Sequence, residues 1–282
     1  LTVSTLKHTI QEELKGVYPV EEIHNFFVLL SEAYLNMSRL DIVMNSNTEI
    51  SAEINNQFYI AFKRLKAFEP IQYIIGETEF FDLTFKVTPD VLIPRPETEG
   101  LVRWIIQDQA KPNLDVLDLC TGSGCIAISL YKYLNNASVS ALDVSTGALA
   151  TAKENADLNK ANIHFLLKDI LKAKTLPQQY DVMVSNPPYV RNLEKELMSN
   201  NVLEHEPHLA LFVGDDNPLI FYSKIINLSK TYLKPNGTLY LEINEYLGDA
   251  TKALLNSDSF LNIELKKDIF GKDRMLKATL TV

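Results

Sequence analysis

A chain of 282 residues with 46% hydrophobic composition carries enough apolar material for one large core or two modest ones, which argues against a disordered chain. Its formal charge of -9 argues against a protein whose affinity comes from neutralising many phosphates, since that demands a net basic domain or stripe. No run approaches the roughly 18 uninterrupted apolar residues of a membrane helix, and the start Leu1-Thr2-Val3-Ser4 lacks the basic-then-apolar order of a secretory signal, so a cytoplasmic protein is expected.

Residues 1–72 read as a small helical bundle. Ile23, Phe26, Phe27, Leu30, Ala33 and Tyr34 recur at three-and-four spacing, as do Ile54, Phe58, Ala61, Phe62 and Leu65, giving each segment one apolar stripe. Residues 73–98 change to aromatic and β-branched types broken by Gly76, Asp82, Pro89-Asp90 and Pro94-Arg95-Pro96, which predicts a hairpin and an extended linker. Residues 99–282 alternate strand-length apolar runs with helical ones, the pattern of a doubly wound α/β sheet. Strands are predicted over 115–119, 139–142, 164–167, 180–185 and 238–243, helices over 125–133 and from the Ser145 cap to about Asn159, with Pro235-Asn236-Gly237 as a turn and two β segments in the tail.

The cysteines, Cys120 and Cys125, both lie beside a Gly-rich turn; two are too few for a disulfide framework or a zinc site, and both are expected reduced. His205 and His208 flank Glu206-Pro207, where the proline interrupts the helix that would put both on one face, so no metal is expected.

Asp118-Leu119-Cys120-Thr121-Gly122-Ser123-Gly124 stands where the first strand of the sheet hands over to its helix, the edge at which such folds bind ligands. Gly122 and Gly124 allow a sharp turn and close approach of a ligand to the backbone. Asp143, at the end of the next strand, is placed to accept from both hydroxyls of a ribose, so the cofactor contains a nucleoside. Gly122-Ser123-Gly124-Cys125-Ile126-Ala127 also fits an alanine-ended dinucleotide fingerprint, and a nicotinamide enzyme stays open on these residues alone.

Asn186-Pro187-Pro188-Tyr189 follows the apolar strand that ends at Ser185. Two prolines stiffen the corner, and the oxygens of the Asn186 side chain and the Pro187 carbonyl can each accept one hydrogen of a planar NH2. An amide or ring-amine nitrogen is a poor nucleophile. Holding both hydrogens aims it at an electrophile and stabilises the charge that develops on it, with Tyr189 as a flat apolar wall.

Asn-Pro-Pro-Tyr resembles the motif of the adenine-N6 nucleic-acid methyltransferases and of the glutamine-N5 methyltransferases that act on peptide chain release factors. Glu69-Pro70-Ile71-Gln72-Tyr73-Ile74-Ile75-Gly76, then Phe80, then Val91-Leu92-Ile93-Pro94-Arg95-Pro96-Glu97-Thr98-Glu99 are similar to the linker of the second group, as are Glu206-Pro207, Ala210-Leu211 and Gly271-Lys272-Asp273-Arg274 further on. The chain thus resembles the release factor glutamine N5-methyltransferase family over nearly its whole length. That resemblance implies a Rossmann-like class I methyltransferase domain with a seven-stranded, mostly parallel sheet, preceded by a helical substrate-binding domain. It implies S-adenosylmethionine held by Cys120, Thr121, Gly122, Ser123, Gly124, Asp143, Ile170 and Asn186. The substrate would be the Gly-Gly-Gln loop of a release factor, its glutamine held by Asn186, Pro187, Pro188 and Tyr189, with Phe80, Arg95 and Glu97 near the entrance. No direct nucleic-acid or membrane contact is expected. Against an adenine-N6 enzyme stand the acidic balance and the absence of a basic, aromatic-interleaved recognition segment; a non-catalytic binding module on the same fold is the remaining rival.

Overall fold

The computed structural model describes residues 1–255 and 259–281; the parts of the expected catalytic region that fall at 256–258 and 282 lie outside these. The chain forms two compact units, residues 1–76 with 199–205, and residues 77–198 with 206–282.

The first unit is helical. Thr2 accepts from Thr5 N to cap α1 (Val3–Leu14), whose Val3, Leu6, Ile10 and Leu14 form one buried stripe. Pro19 opens α2 (Val20–Leu35), and Asn36, at φ 53°, closes it in the left-handed conformation that releases the chain. Ser38 and Asp41 form a reciprocal capping box on α3 (Arg39–Met44). Ser51 caps α4 (Ala52–Lys66), which turns Phe58, Ala61, Phe62 and Leu65 inward. α5 (Ile71–Ile75) stops at Gly76, φ 89°. Phe58 is fully buried and meets Phe27, Tyr34 and Phe62, with its ring 5.3 Å from that of Tyr34 at nearly a right angle. Arg64 grips both Glu69 oxygens at 2.6 and 2.7 Å and also reaches the Tyr73 carbonyl, pinning α5 against the end of α4. Residues 199–205, far along the chain, join this unit, where His205 Nε2 lies 2.7 Å from the Ala67 carbonyl.

The second unit begins with the hairpin β1 (Glu77–Phe80) and β2 (Leu83–Lys86), paired antiparallel from Glu77 opposite Lys86 to Phe80 opposite Leu83. After an extended stretch come α6 (Pro96–Asp108), β3 (Asp115–Leu119), α7 (Cys125–Tyr133), β4 (Ser138–Asp143), α8 (Thr146–Leu158), β5 (Ile163–Leu167), β6 (Tyr180–Ser185) and the short β7 (Val190–Arg191). The chain continues through α9 (Asn200–His205), α10 (His208–Leu211), β8 (Phe212–Val213), α11 (Ile220–Tyr232), β9 (Leu233–Glu242), α12 (Gly248–Leu254), β10 (Phe260–Lys267) and β11 (Asp273–Leu280).

Seven strands make one sheet in the order β10-β11-β9-β6-β3-β4-β5. β9, β6, β3, β4 and β5 run parallel, and β11 is antiparallel to both of its neighbours. The expected seven-stranded, mostly parallel sheet is therefore present. Its central strands are apolar on both faces because both are covered. Val116, Val139, Val182, Val184 and Tyr240 point into one core with α6 and α7; Leu117, Leu142, Met183, Leu239 and Leu241 point into the other with Tyr222, Ile225 and Ile226 of α11. Full burial of each such side chain contributes roughly 1.5–3 kcal/mol. From β3 the chain moves to β4 on one side, while β6 lies on the other; this reversal of strand order opens a crevice at the carboxyl ends of β3 and β6.

The expected Pro235-Asn236-Gly237 turn lies within the bounds of β9: residues 234–237 loop out between Leu233 and Thr238 while β6 advances only from Tyr180 to Val182, and pairing resumes at Thr238 as expected. Asn236 takes φ 63°, so the left-handed residue of a turn is present within this excursion. No helix among the described residues is long and apolar enough to cross a membrane.

Candidate active site

A cavity of about 380 Å³ sits over the crevice at the carboxyl edge of the sheet. Its walls come from the stretch before α6, the loops that follow β3, β4, β5 and β6, and the start of α10.

The loop after β3 has three left-handed residues, Cys120 (φ 62°), Gly122 (φ 55°) and Gly124 (φ 80°). They make a tight arch that Thr121 ties down, its hydroxyl donating to Asp118 at 2.6 Å and its N–H to the Leu142 carbonyl at 3.0 Å. Cys120, Thr121, Gly122 and Ser123 face the cavity. Gly124 does not; a side chain there would press on Ala152 and Ile128 at 3.2 Å, so this glycine serves the packing of α7 on α8. Burial pushes the Cys125 thiol up to about 12 and raises Cys120 as well, so both are thiols rather than thiolates.

Asp143 lies on the cavity wall and accepts from Gly122 N and Ser145 N, each at 2.9 Å and each on a different oxygen. Burial raises its pKa against the pull of these backbone donors. Asp118 is completely buried beneath the arch. Its desolvation outweighs the Thr121 hydroxyl and lifts the carboxyl to about 7. Ile170, 4% exposed, lines the wall after β5 beside Asp169.

Asn186 and Pro188 line the same cavity, whereas Pro187 is buried off its wall. The Asn186 amide donates to Thr98 Oγ1 at 3.3 Å, and the Thr98 hydroxyl donates to Glu242 Oε2 at 2.6 Å. The other Glu242 oxygen accepts from Tyr189 at 3.0 Å. Glu242 is 1% exposed, and burial raises its pKa although Thr98, Tyr189 and Arg274 favour its charged form.

Tyr189 is not on the cavity wall: its phenol faces Glu242 and Arg274, and its ring packs with the core around α11. Burial pushes that phenol well above its ordinary range. Phe80 also stands away from the cavity, 1% exposed in the core and edge-on to Phe85. Glu97 is half-buried and off the wall. Arg95 does line it, and its guanidinium meets Glu206 Oε1 at 2.5 Å, while Glu206 Oε2 takes the Ile93 N–H at 3.2 Å. Glu206 thereby anchors residues 93–95 as one wall.

Sequence reasoning did not assign roles to Thr98, Glu206 or Glu242. Thr98 and Glu206 fall within motifs matched by resemblance, and Glu242 ends an apolar strand; a lone acid closing a buried strand was the available signal.

Residues 99–210 match the family model for the methyltransferase small domain, and residues 8–76 match that for the PrmC N-terminal domain. The release factor glutamine methyltransferase of Flavobacterium psychrophilum is 51% identical over 270 residues, covering 94% of this chain and 95% of the relative. That of Bacteroides thetaiotaomicron is 43% identical, covering 95% and 97%. The chain belongs to the release factor glutamine methyltransferase family. As a member of it, the protein is an enzyme that transfers methyl groups. A solved methyltransferase from Pyrococcus furiosus, 17% identical, superposes with a TM-score of 0.54 over 81% of this chain and 99% of its own, a likeness of fold. In this methyltransferase the residues brought together around one cavity are Cys120 to Ser123, Asp143, Ile170, Asn186, Pro188 and Arg95.

Proposed function

We propose that the protein transfers a methyl group from S-adenosylmethionine to the side-chain nitrogen of the glutamine in the Gly-Gly-Gln loop of peptide chain release factors. The observation that carries this reading is that Asn186 opens onto the same cavity as Asp143 and the arch 120–123. One chamber can therefore hold a nucleoside-type cofactor and a planar amide side by side.

The chemistry of the walls fits the cofactor. Each Asp143 oxygen takes one backbone donor and keeps lone-pair capacity for ribose hydroxyls. Gly122 has nothing within 4 Å of where a Cβ would stand, so its bare backbone can be approached closely. Ile170 supplies an apolar face for adenine, and Asp169 adds a carboxylate acceptor on the same wall. When bound, the cofactor supplies an electrophilic methyl carbon on a sulfonium.

The residues of the chain do the rest by positioning. The Asn186 side-chain oxygen takes one hydrogen of the glutamine amide and so stabilises charge developing on its nitrogen. Arg95, held by Glu206, stands at the mouth. The unit of residues 1–76 grips a part of the release factor remote from its glutamine, because one side chain offers too little area for a specific protein interface.

The test is incubation with labelled S-adenosylmethionine and a release factor, beside one whose loop glutamine is replaced. Label should map to the glutamine peptide and vanish with the replacement; label persisting elsewhere would reject the proposed target. Asn186→Ala should lower kcat about 150-fold, equivalent to about 3 kcal/mol of transition-state stabilisation, with little change in cofactor affinity.

A further inference from the structure

Thr98 lines the same cavity as Asn186, and the hydrogen-bonded chain that runs from it through Glu242 and Tyr189 to Arg274 sets which end of the Asn186 amide faces Thr98 and which faces away from it. Arg274 lies 3.4 Å from the Tyr189 oxygen and can only donate to it, so Tyr189 directs its own proton to Glu242 Oε1. Glu242 as a carboxylate has no proton to give, and its second oxygen takes the one proton of the Thr98 hydroxyl. Thr98 Oγ1 is left with lone pairs alone, so Asn186 must present its NH2 to Thr98. Its oxygen then turns the other way, and no protein group among the described residues donates to it. Every step runs in one direction, from a guanidinium that only donates to an amide oxygen that only accepts.

We propose that Thr98 and Glu242 are positioning residues that lock the polarity of the Asn186 amide, keeping its oxygen toward the substrate amide. This rests on the reading of Asn186 as the group that holds the glutamine NH2. An amide carries a donor and an acceptor of nearly equal size, so shape alone does not choose between its two orientations. Were the relay reversed, Asn186 would offer NH2 to NH2, and the substrate would lose an acceptor where charge develops.

Glu242→Gln reverses it while keeping the volume. Tyr189 still donates, which holds the Gln oxygen on its side and turns the Gln NH2 toward Thr98. Thr98 then accepts from Gln and donates to Asn186, whose oxygen turns to Thr98 and whose NH2 takes the place the oxygen held. Thr98→Val acts differently, because it removes the relay and leaves the amide free to take either orientation. The two variants are thus unequal, and the second masks the first.

The experiment measures kcat for methyl transfer to a release factor, together with the dissociation constant for S-adenosylmethionine, in six proteins: the parent, Asn186→Ala, Thr98→Ser, Thr98→Val, Glu242→Gln and the Thr98→Val/Glu242→Gln double variant. Glu242→Gln should lose at least about 100-fold in kcat, the scale of an oxyanion-type contact. Thr98→Val should lose about 10-fold, the scale of one orienting hydrogen bond. Thr98→Ser should recover most of that loss, and cofactor affinity should hold within about threefold throughout. The double variant should match Thr98→Val, because without the hydroxyl there is nothing left to reverse. Losses that multiply in the double variant, or a Thr98→Ser as impaired as Thr98→Val, would overturn the relay and leave Glu242 a packing residue. Cofactor affinity that falls along with kcat in Glu242→Gln would mark a damaged site; the Thr98→Ser and Thr98→Val pair then decides alone, and equal turnover in those two overturns the proposal. Normal turnover in Asn186→Ala would instead remove the reading beneath it.

Discussion

Replacing Asp118 by asparagine should change how stability depends on pH more than it changes stability at any one pH. Asp118 is fully buried, and its carboxyl is lifted from 3.8 to about 7, chiefly by desolvation. A carboxyl whose folded pKa exceeds its unfolded one keeps its proton longer when folded. Below about pH 4 both states are protonated, and the group makes no pH-dependent contribution. Between about 4 and 7 the unfolded chain releases the proton while the folded one retains it, so stability falls by about 1.4 kcal/mol for each pH unit. Above about 7 both are ionised and the loss levels off near 4 kcal/mol. The amide introduced by Asp118→Asn cannot ionise, which removes this slope. The substitution also carries a fixed penalty, since it buries an NH2 where Asp118 Oδ1 has no hydrogen-bond partner among the described residues, but a fixed penalty shifts the curve without tilting it. The assay is urea unfolding of parent and Asp118→Asn without cofactor, at half-unit steps from about pH 4.5 to about 8.5, a range chosen to bracket the titration. Parent stability relative to the variant should decline across the lower part of that range and flatten above about 7. Parallel curves would show that the parent carboxyl ionises normally and would refute the burial argument.

Other perturbations test other parts of the molecule. Arg95→Ala leaves the Glu206 carboxylate, 1% exposed at its side chain, without its charged partner; it should cost about 3 kcal/mol in denaturant unfolding and loosen the wall at 93–95, and a loss under about 1 kcal/mol would count against the anchoring role. Gly237→Ala places a Cβ 2.8 Å from the Lys234 carbonyl and 3.1 Å from those of Asp181 and Tyr180, backbone atoms that cannot move aside singly. It should lower stability by about 1–3 kcal/mol, read as a drop in Tm, with unchanged stability refuting the excursion described for β9. Phe58→Ala empties the centre of the helical unit and should cost roughly 3–5 kcal/mol, while cofactor affinity at the separate cavity, followed by calorimetry, should stay near that of the parent.

Much of the sheet was legible because its strands are strand-length apolar runs and α8 begins at a side-chain cap. Ser145 accepts from Ala148 N at 3.1 Å as its place before α8 predicted, and β3 and β6 occupy 115–119 and 180–185 as read. The 235–237 turn was legible because Asn-Gly marks a left-handed residue, but that it interrupts β9 rather than preceding it was not, since an excursion within a strand needs such a residue as much as a hairpin does. At the site, the arch, Asp143 and Asn186 were readable because each follows or closes the end of a strand, where loops at a switch point gather. Tyr189 and Phe80 could be placed near that edge but not aimed, since an aromatic residue next to a loop can turn toward the cavity or the core. Thr98 and Glu242 lie 144 positions apart, and their meeting depends on α6 packing across β9. Short spacing rules do not register a contact of that kind.

The Asp143 bridge bears on speed as well as affinity. By joining Gly122 to Ser145 it immobilises two loops from neighbouring strands before any occupant arrives. The entropy of ordering those loops is lost during folding and does not recur at each encounter. Cofactor association should then follow a single exponential in stopped flow, at a rate linear in concentration and free of the plateau that a slow loop rearrangement would impose.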